Sequence, residues 1–418
     1  MSESTNNPAG FPARRAALRL MDAVLRRGET LDQAQGAALK GLIEGADRAL
    51  ARAIAGETLR WMADLDALID SATTRRLPDD AKARSVLRMM LAQWLRLETP
   101  AHAVVATALP LLEGGPRKLA HGVFSTLSKR PATLPQVPTL PDLALARWIE
   151  LGGDLADAVA PGLAVPPPLD LTLSDPATTG EWAERLGGIS LMPGHVRLAR
   201  GTAVEQLEGF ADGHWWVQDI AASLPARLLG AGEDRAALDL CAAPGGKTLQ
   251  LAAAGWRVTA LDASDKRLER LRENLLRTGL TADVIEGDAL QWQPKAPFDA
   301  VLLDAPCTAT GTCRRHPDVL HRIGPRHISD MAELQSKLLD RAAGWLKPGG
   351  RLVYATCSME PEEGEAQAAV VPLTRDPIRA DELPQGLAPT AEGWLRTHPG
   401  MLAEHGGLDG FFIARWRG

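Results

Sequence analysis

The chain has 418 residues, of which 45% are hydrophobic and 23% charged, a globular composition too long for one average domain. Its net charge of −6 excludes wholesale coating of nucleic acid, and its four cysteines, none in Cys-x-x-Cys spacing, exclude a disulfide framework and a thiolate metal cage. No run approaches the roughly 18 apolar residues of a membrane helix, and the opening MSESTNNPAG lacks a signal-peptide pattern. A cytoplasmic protein without a membrane partner is expected. The charge is uneven: residues 11–130 hold 19 Lys and Arg against 13 Asp and Glu, so the front of the chain is its basic part.

That front part reads as an all-α bundle. Leu18, Met21 and Leu25, then Ile54, Trp61, Leu65 and Leu68, then Leu87, Met90, Leu91 and Trp94 recur at three- or four-residue spacing, as one buried face of a helix requires. Val104, Val105, Ala108 and Leu112, then Leu119, Val123, Phe124 and Leu127, add two more stripes. Trp61 and Trp94 lie on the stripes and are expected in the core. The domain is set at residues 1–130. Four prolines in residues 131–141 form a stiff linker. A small α+β module is expected over residues 142–212, with a helix at 142–151, a break at 161–168, strands at Leu169–Leu173 and His195–Leu198, and a helix at 181–186. Residues 213–418 form the third domain.

Its centre is AALDLCAAPGGKT, residues 236–248. Leu238 to Leu240 make a short apolar strand, and Cys241, Ala242, Ala243, Pro244, Gly245, Gly246 and Lys247 make a tight turn opening a helix. Gly245 and Gly246 leave room for close backbone approach, and the helix amides face a polar or anionic group. A Walker loop would need Gly where Cys241 stands, and Ala242, Ala243 and Pro244 do not supply a dinucleotide fingerprint. What remains is a doubly wound α/β site for a small nucleoside ligand. Strands at 257–261, 284–287, 298–303 and 351–356 follow. They end on Asp262, spaced for ribose hydroxyls; Asp288, placed for the base; Asp304 with Cys307; and Cys357. All are expected on the carboxyl edge of one sheet, where such folds bind ligands. Asp265–Thr278 reads as the crossover helix between the second and third strands, with Arg267 just past Asp262. Arg314, Arg315, Arg322 and Arg326, interleaved with His316, His321 and His327, favour phosphate contact beside this edge.

DLCAAPGGKT, Asp262 in ALDAS, Asp288 in EGDA, DAPCTATGTCRRHPD, YATCS and the terminal DGFFIAR resemble the Sun (Fmu) family of RNA cytosine methyltransferases, most closely the RsmB type that acts on small-subunit ribosomal RNA. The front end is similar to the antitermination factor NusB, so the resemblance runs from about Arg14 to Trp416. It implies a Rossmann-like domain binding S-adenosylmethionine and an RNA partner; a monomer is expected. Two departures stand out: LDLTLSDP replaces the family's Arg-x-Asn stretch, and Thr308 replaces the usual Ser. Trp216, Val217, Gln218 and Asp219 resemble the family's VQD segment, read as a structural lead-in.

The resemblance also implies the chemistry. Carbon 5 of cytosine is too weak a nucleophile for a sulfonium methyl until a thiolate has added at carbon 6. The residues alone leave two thiols in competition: Cys307 follows Pro306, as in DNA cytosine methyltransferases, whereas Cys357 stands where the RNA family places its nucleophile. The resemblance chooses Cys357 and makes Cys307 the cysteine that aids product release. It assigns the turn from Cys241 to Lys247 to the methionine and ribose portions of the cofactor, Asp262 to ribose, Asp288 to adenine, and Asp304 to the methionine amino group or the target base. Cys241 and Cys313 carry no expected chemistry. The same chemistry on transfer RNA or DNA, and a non-catalytic RNA-binding or antitermination protein, are the alternatives.

Overall fold

The computed structural model describes residues 8–150, 154–201 and 203–418 and divides the chain into two units, Met1–Ala164 with His316–Arg322, and Val165–Arg315 with Ile323–Gly418. Residues 1–7 and the end of the helix expected at 142–151 lie outside the described residues.

In the first unit the predicted stripes form helices Phe11–Arg27, Leu31–Ala38, Gly45–Arg60, Met62–Ser71, Lys82–Leu95, Ala101–Ala108 and Gly114–Ser128. Local signals set their ends: Gly28 closes the first at φ 68°, and Thr30 and Gln33 form a capping box on the second. Trp61 is buried, and Trp94 packs edge-on against Phe124 at 5.8 Å between ring centroids. Much of the basic charge is spent internally. The fully buried Arg84 bonds to Asp66 and Asp70 at 2.9 and 2.7 Å, and Arg88 grips Asp66 at two points.

The boundary after the prolines differs from expectation. Helices Asp142–Glu150 and Asp154–Leu163, read as the start of the α+β module, belong to the helical unit. Trp148, Ala144, Ala156, Val159 and Leu163 are buried, and Arg60 donates to the Leu163 carbonyl at 3.0 Å. The prolines interrupt the chain without ending the unit, because the helix after them presents a buried Trp.

The second unit holds two sheets. Strands β1 (Leu169–Leu173), β2 (His195–Leu198) and β3 (Trp215–Val217) form an antiparallel sheet in the order β2-β1-β3. β3 extends the module past residue 212, since Trp215 is buried with Leu171, Leu173, Trp182 and Val196. Asp170, in the departing LDLTLSDP stretch, is buried in a paired grip from Arg197 at 2.6 and 2.8 Å and accepts the Ile220 amide at 3.0 Å. The stretch that lacks the family's Arg-x-Asn therefore ties the small sheet to the helix Ile220–Arg227.

The large sheet contains β4 (Ala236–Leu240), β5 (Arg257–Asp262), β6 (Asp283–Glu286), β7 (Phe298–Asp304), β8 (Leu346–Thr356), β9 (Thr374–Arg375), β10 (Leu395–Arg396) and β11 (Phe412–Arg417). Its order is β10-β11-β8-β7-β4-β5-β6, with β9 on β11. The five predicted strands, β4 to β8, are mutually parallel, whereas β11 runs antiparallel to β8. Period-two alternation fills both faces: Ala300, Leu302, Val353 and Ile413 enter one core, and Val301, Leu303, Tyr354 and Phe412 the other. The order reverses at β4, so a crevice opens at the carboxyl ends between β4's two neighbours. Trp148→Ala should lower unfolding free energy by about 3–5 kcal/mol in urea titration, the cost of emptying a buried Trp site; a change below about 1 kcal/mol would detach this helix from the core.

Candidate active site

The predicted residues sit where the large sheet ends. Gly245 adopts φ 109°, and a Cβ there would come within 2.3 Å of Leu271 Cδ1, so only glycine lets the turn lie against the crossover helix. The turn opens the helix Gly246–Ala253, whose first amides have no intrahelical acceptors. Asp262 fastens it: one carboxylate oxygen accepts the Ala243 amide at 3.1 Å, and the other accepts the Ser264 amide and Arg267, at 2.9 and 2.8 Å. The Asp262 carboxylate has no exposed surface, and the half-exposed Arg267 covers one of its oxygens. Asp288, at the end of β6, is exposed and bonds within its own turn to the Leu290 amide and the Gln291 side chain. Burial, then the charge of Asp262, pushes the Cys241 thiol up to about 12, so it keeps its proton.

Lys247 reaches across from the turn to Asp304 at 2.7 Å and lies 5.5 Å from the centroid of the Phe411 ring. Burial opposes its charge, but Asp304 more than offsets this, and its pKa stands above the usual value. Its ammonium is also within electrostatic reach of the Cys357 sulfur. The Ala305 amide bonds to the Ala355 carbonyl at 2.9 Å, so the loops leaving β7 and β8 start side by side. Cys307 Sγ and Cys357 Sγ are 3.4 Å apart. The hydrogen bond to Cys357, then burial, drives the Cys307 thiol well above its ordinary range, with the Cys357 and Glu363 charges adding to the effect. Gly311 donates to the Cys357 carbonyl at 3.0 Å and accepts from the Gly410 amide at 2.8 Å; a Cβ on Gly311 would lie 2.0 Å from the Gly410 oxygen. The terminal DGFF motif thereby braces the Cys307 loop.

The basic cluster resolves differently from the phosphate surface expected of it. Arg314 is buried between Asp219 and Asp409 at 2.6 Å each, and Arg315 bonds to the same two carboxylates at 2.5 and 3.1 Å. Asp219 also caps the helix Ile220–Arg227 through the Ala221 amide, which gives the VQD-like segment its structural role. His321 bonds to the Leu59 carbonyl at 2.8 Å, with burial lowering its pKa to about 4, and Arg322 pairs with Asp318. Arg326 and His327 remain exposed. Charge spacing alone does not separate arginines that meet solvent from those that meet aspartates distant in sequence. Sequence reading also missed Glu363, Gln335 and Thr310, all buried. Nothing local separates Glu363 from the exposed Glu362 beside it.

Residues 226–417 match the family described as 16S rRNA methyltransferase RsmB/F, and residues 12–114 the NusB family. Ribosomal RNA small subunit methyltransferase B of Xanthomonas campestris pv. campestris is 33% identical over 428 residues, covering 97% of each chain. The same-named protein of Klebsiella pneumoniae subsp. pneumoniae is 33% identical over 433 residues, covering 96% of this chain and 97% of its own. The chain belongs to the RsmB/F family. The crystal structure of PH0851 shares the fold of this family member, with a TM-score of 0.72 at 23% identity over 97% of this chain and 98% of that one. NSun6 from Pyrococcus horikoshii does so with a TM-score of 0.58 at 20% identity over 66% of this chain and 98% of that one.

As a family member the protein is an S-adenosylmethionine-dependent methyltransferase; at the carboxyl edge, a helix start, whose first amides lack intrahelical acceptors, and the exposed Asp288 carboxylate offer donors and an acceptor of the kind a nucleoside ligand needs. Behind the turn, Asp239 accepts the Thr248 hydroxyl at 2.6 Å and its other oxygen has no partner among the described residues. Burial pushes its carboxyl up to about 7. The folded protein thus holds this proton more tightly than the unfolded chain, so the group's stabilising contribution is complete below about pH 4 and is lost as pH rises through about 7. Asp239→Asn should therefore lose less thermal stability than the parent between about pH 5 and about pH 8. Equal losses in parent and variant would remove Asp239 from that dependence.

Proposed function

We propose that the protein methylates carbon 5 of a cytosine in small-subunit ribosomal RNA through a covalent bond to Cys357, acting in the cytoplasm as a monomer. The observation that carries this reading is the pair of sulfurs 3.4 Å apart at adjacent strand ends beside Lys247 and Asp304. The near full-length likeness to proteins named for the small subunit supports the substrate.

S-adenosylmethionine, held by the turn from Cys241 to Lys247 with Asp262 and Asp288, supplies an electrophilic methyl group. The chain's own residues prepare the base. Cys357 as thiolate adds to carbon 6, and the electron pair of the carbon 5–carbon 6 bond makes carbon 5 the nucleophile. Asp304, on the strand end between turn and thiols, orients the base or the methionine amino group, and Lys247 supplies positive charge near both Asp304 and Cys357. Once Cys357 sulfur is bonded to carbon it is no longer an anion, so the leading cause that holds the proton on Cys307 is gone. Cys307 can then give its proton to water and, as thiolate, take the proton from carbon 5. Those electrons restore the ring double bond, the carbon–sulfur bond breaks, and the Cys357 thiolate is regenerated. The target base must leave any helix it occupies to reach the sulfurs.

With unmodified ribosomal RNA and labelled S-adenosylmethionine, Cys357→Ala should reduce methyl transfer by roughly 10⁶-fold, the scale for losing a catalytic nucleophile. Cys307→Ala should accumulate an RNA–protein adduct on denaturing gels. The reverse pattern would make Cys307 the nucleophile, and absence of transfer by the parent to any RNA would favour an RNA-binding protein.

A further inference from the structure

Glu363 takes no part in the steps above, yet its side chain is fully buried. One of its oxygens accepts the Thr308 and Ser358 hydroxyls, the latter at 2.8 Å. The other accepts the Thr308 amide and the Gln335 side chain, each at 2.9 Å. Every recorded partner of this carboxylate among the described residues is a neutral donor. Burying a carboxylate without a cation is costly, and four converging hydrogen bonds are what offset it here.

The donors come from telling positions. Thr308 directly follows Cys307, and Ser358 directly follows Cys357. Their hydroxyls also lie 3.2 Å from each other, and Gln335 donates in addition to the carbonyl of Pro306, the residue before Cys307, at 2.8 Å. Thr310, in the Cys307 loop, accepts the Met359 amide at 2.9 Å. One carboxylate thus holds the residue next to each sulfur, on two loops about fifty residues apart in sequence.

We infer that Glu363 is a positioning residue for methyl transfer, setting the separation of the Cys307 and Cys357 sulfurs by gripping Thr308 and Ser358 together. The inference rests on the proposed roles of the two cysteines, but the geometry it asserts can be read without RNA. Dibromobimane becomes fluorescent when it bridges two nearby thiols, and peptide mapping of the full-length protein identifies a Cys307–Cys357 bridge. Glu363→Ala should slow that bridging about tenfold, the equivalent of one lost buried hydrogen-bonded anchor, while S-adenosylmethionine affinity measured by calorimetry stays within about twofold. Glu363→Gln, which can turn its NH₂ toward the two hydroxyls and its carbonyl toward the two N–H donors, should bridge within about threefold of the parent, and methyl transfer should follow the same order. Bridging by Glu363→Ala at the parent rate overturns the inference. If Glu363→Ala also loses cofactor binding, Ser358→Ala, which cuts one arm and leaves the carboxylate, decides: slowing of about threefold supports the brace and an unchanged rate overturns it. A parent protein that bridges as expected but methylates no RNA refutes the functional reading and not the geometry.

Discussion

The site depends on one pairing, that of β7 with β8. Their parallel register sets Asp304 opposite Ala355, so chain segments distant in sequence leave the sheet as neighbours, one carrying Cys307 and the other Cys357. Parallel strands need long crossovers, and the crossover here is the helix Pro325–Gly344, whose Gln335 also reaches back to the Cys307 loop. The reversal of strand order at β4 then places the glycine turn beside the same edge, and Lys247 reaches from the turn to Asp304 at the end of β7. The glycine turn and the pair of cysteines are thus brought together by a single sheet order.

The protein partners its carboxylates in two ways. Structural carboxylates meet arginines: Asp170 with Arg197, Asp219 and Asp409 with Arg314 and Arg315, Asp66 with Arg84 and Arg88. Three carboxylates of the second unit have a smaller cation or none. Asp304 has a lysine, Asp239 a hydroxyl, and Glu363 hydroxyls and amides. A paired guanidinium fixes a loop, whereas an unneutralised carboxylate near a thiol raises the cost of a second negative charge. The proton on Cys307 is held in part by that second arrangement.

Much of this was legible in the residues. Apolar runs ending in Asp or Cys located the parallel strands because both faces of such a sheet are buried and the runs are continuous. The turn declared itself through Gly245, which the packing of Leu271 makes obligatory. Less was visible where partners come from afar. Arg314 and Arg315 look like any surface pair until Asp219 and Asp409 fold against them, and Glu363 looks like Glu362. The proline stretch suggested a domain end, but Trp148 beyond it is drawn into the helical core, a tertiary demand that local composition does not express. β3 was hidden for the same reason, since its three residues owe their strand to Leu171 and Leu173 of β1.

In the proposed mechanism Cys357 forms the bond to the target base. A ribosomal RNA transcript containing 5-fluorocytosine cannot lose a proton from carbon 5, so it would hold the adduct after methyl transfer. Digestion and mass spectrometry of the trapped species would then name the bonded residue. A methylated fluorocytosine on the peptide containing Cys357 is the expected outcome; the same adduct on Cys307, with Cys357 unmodified, would make Cys307 the nucleophile.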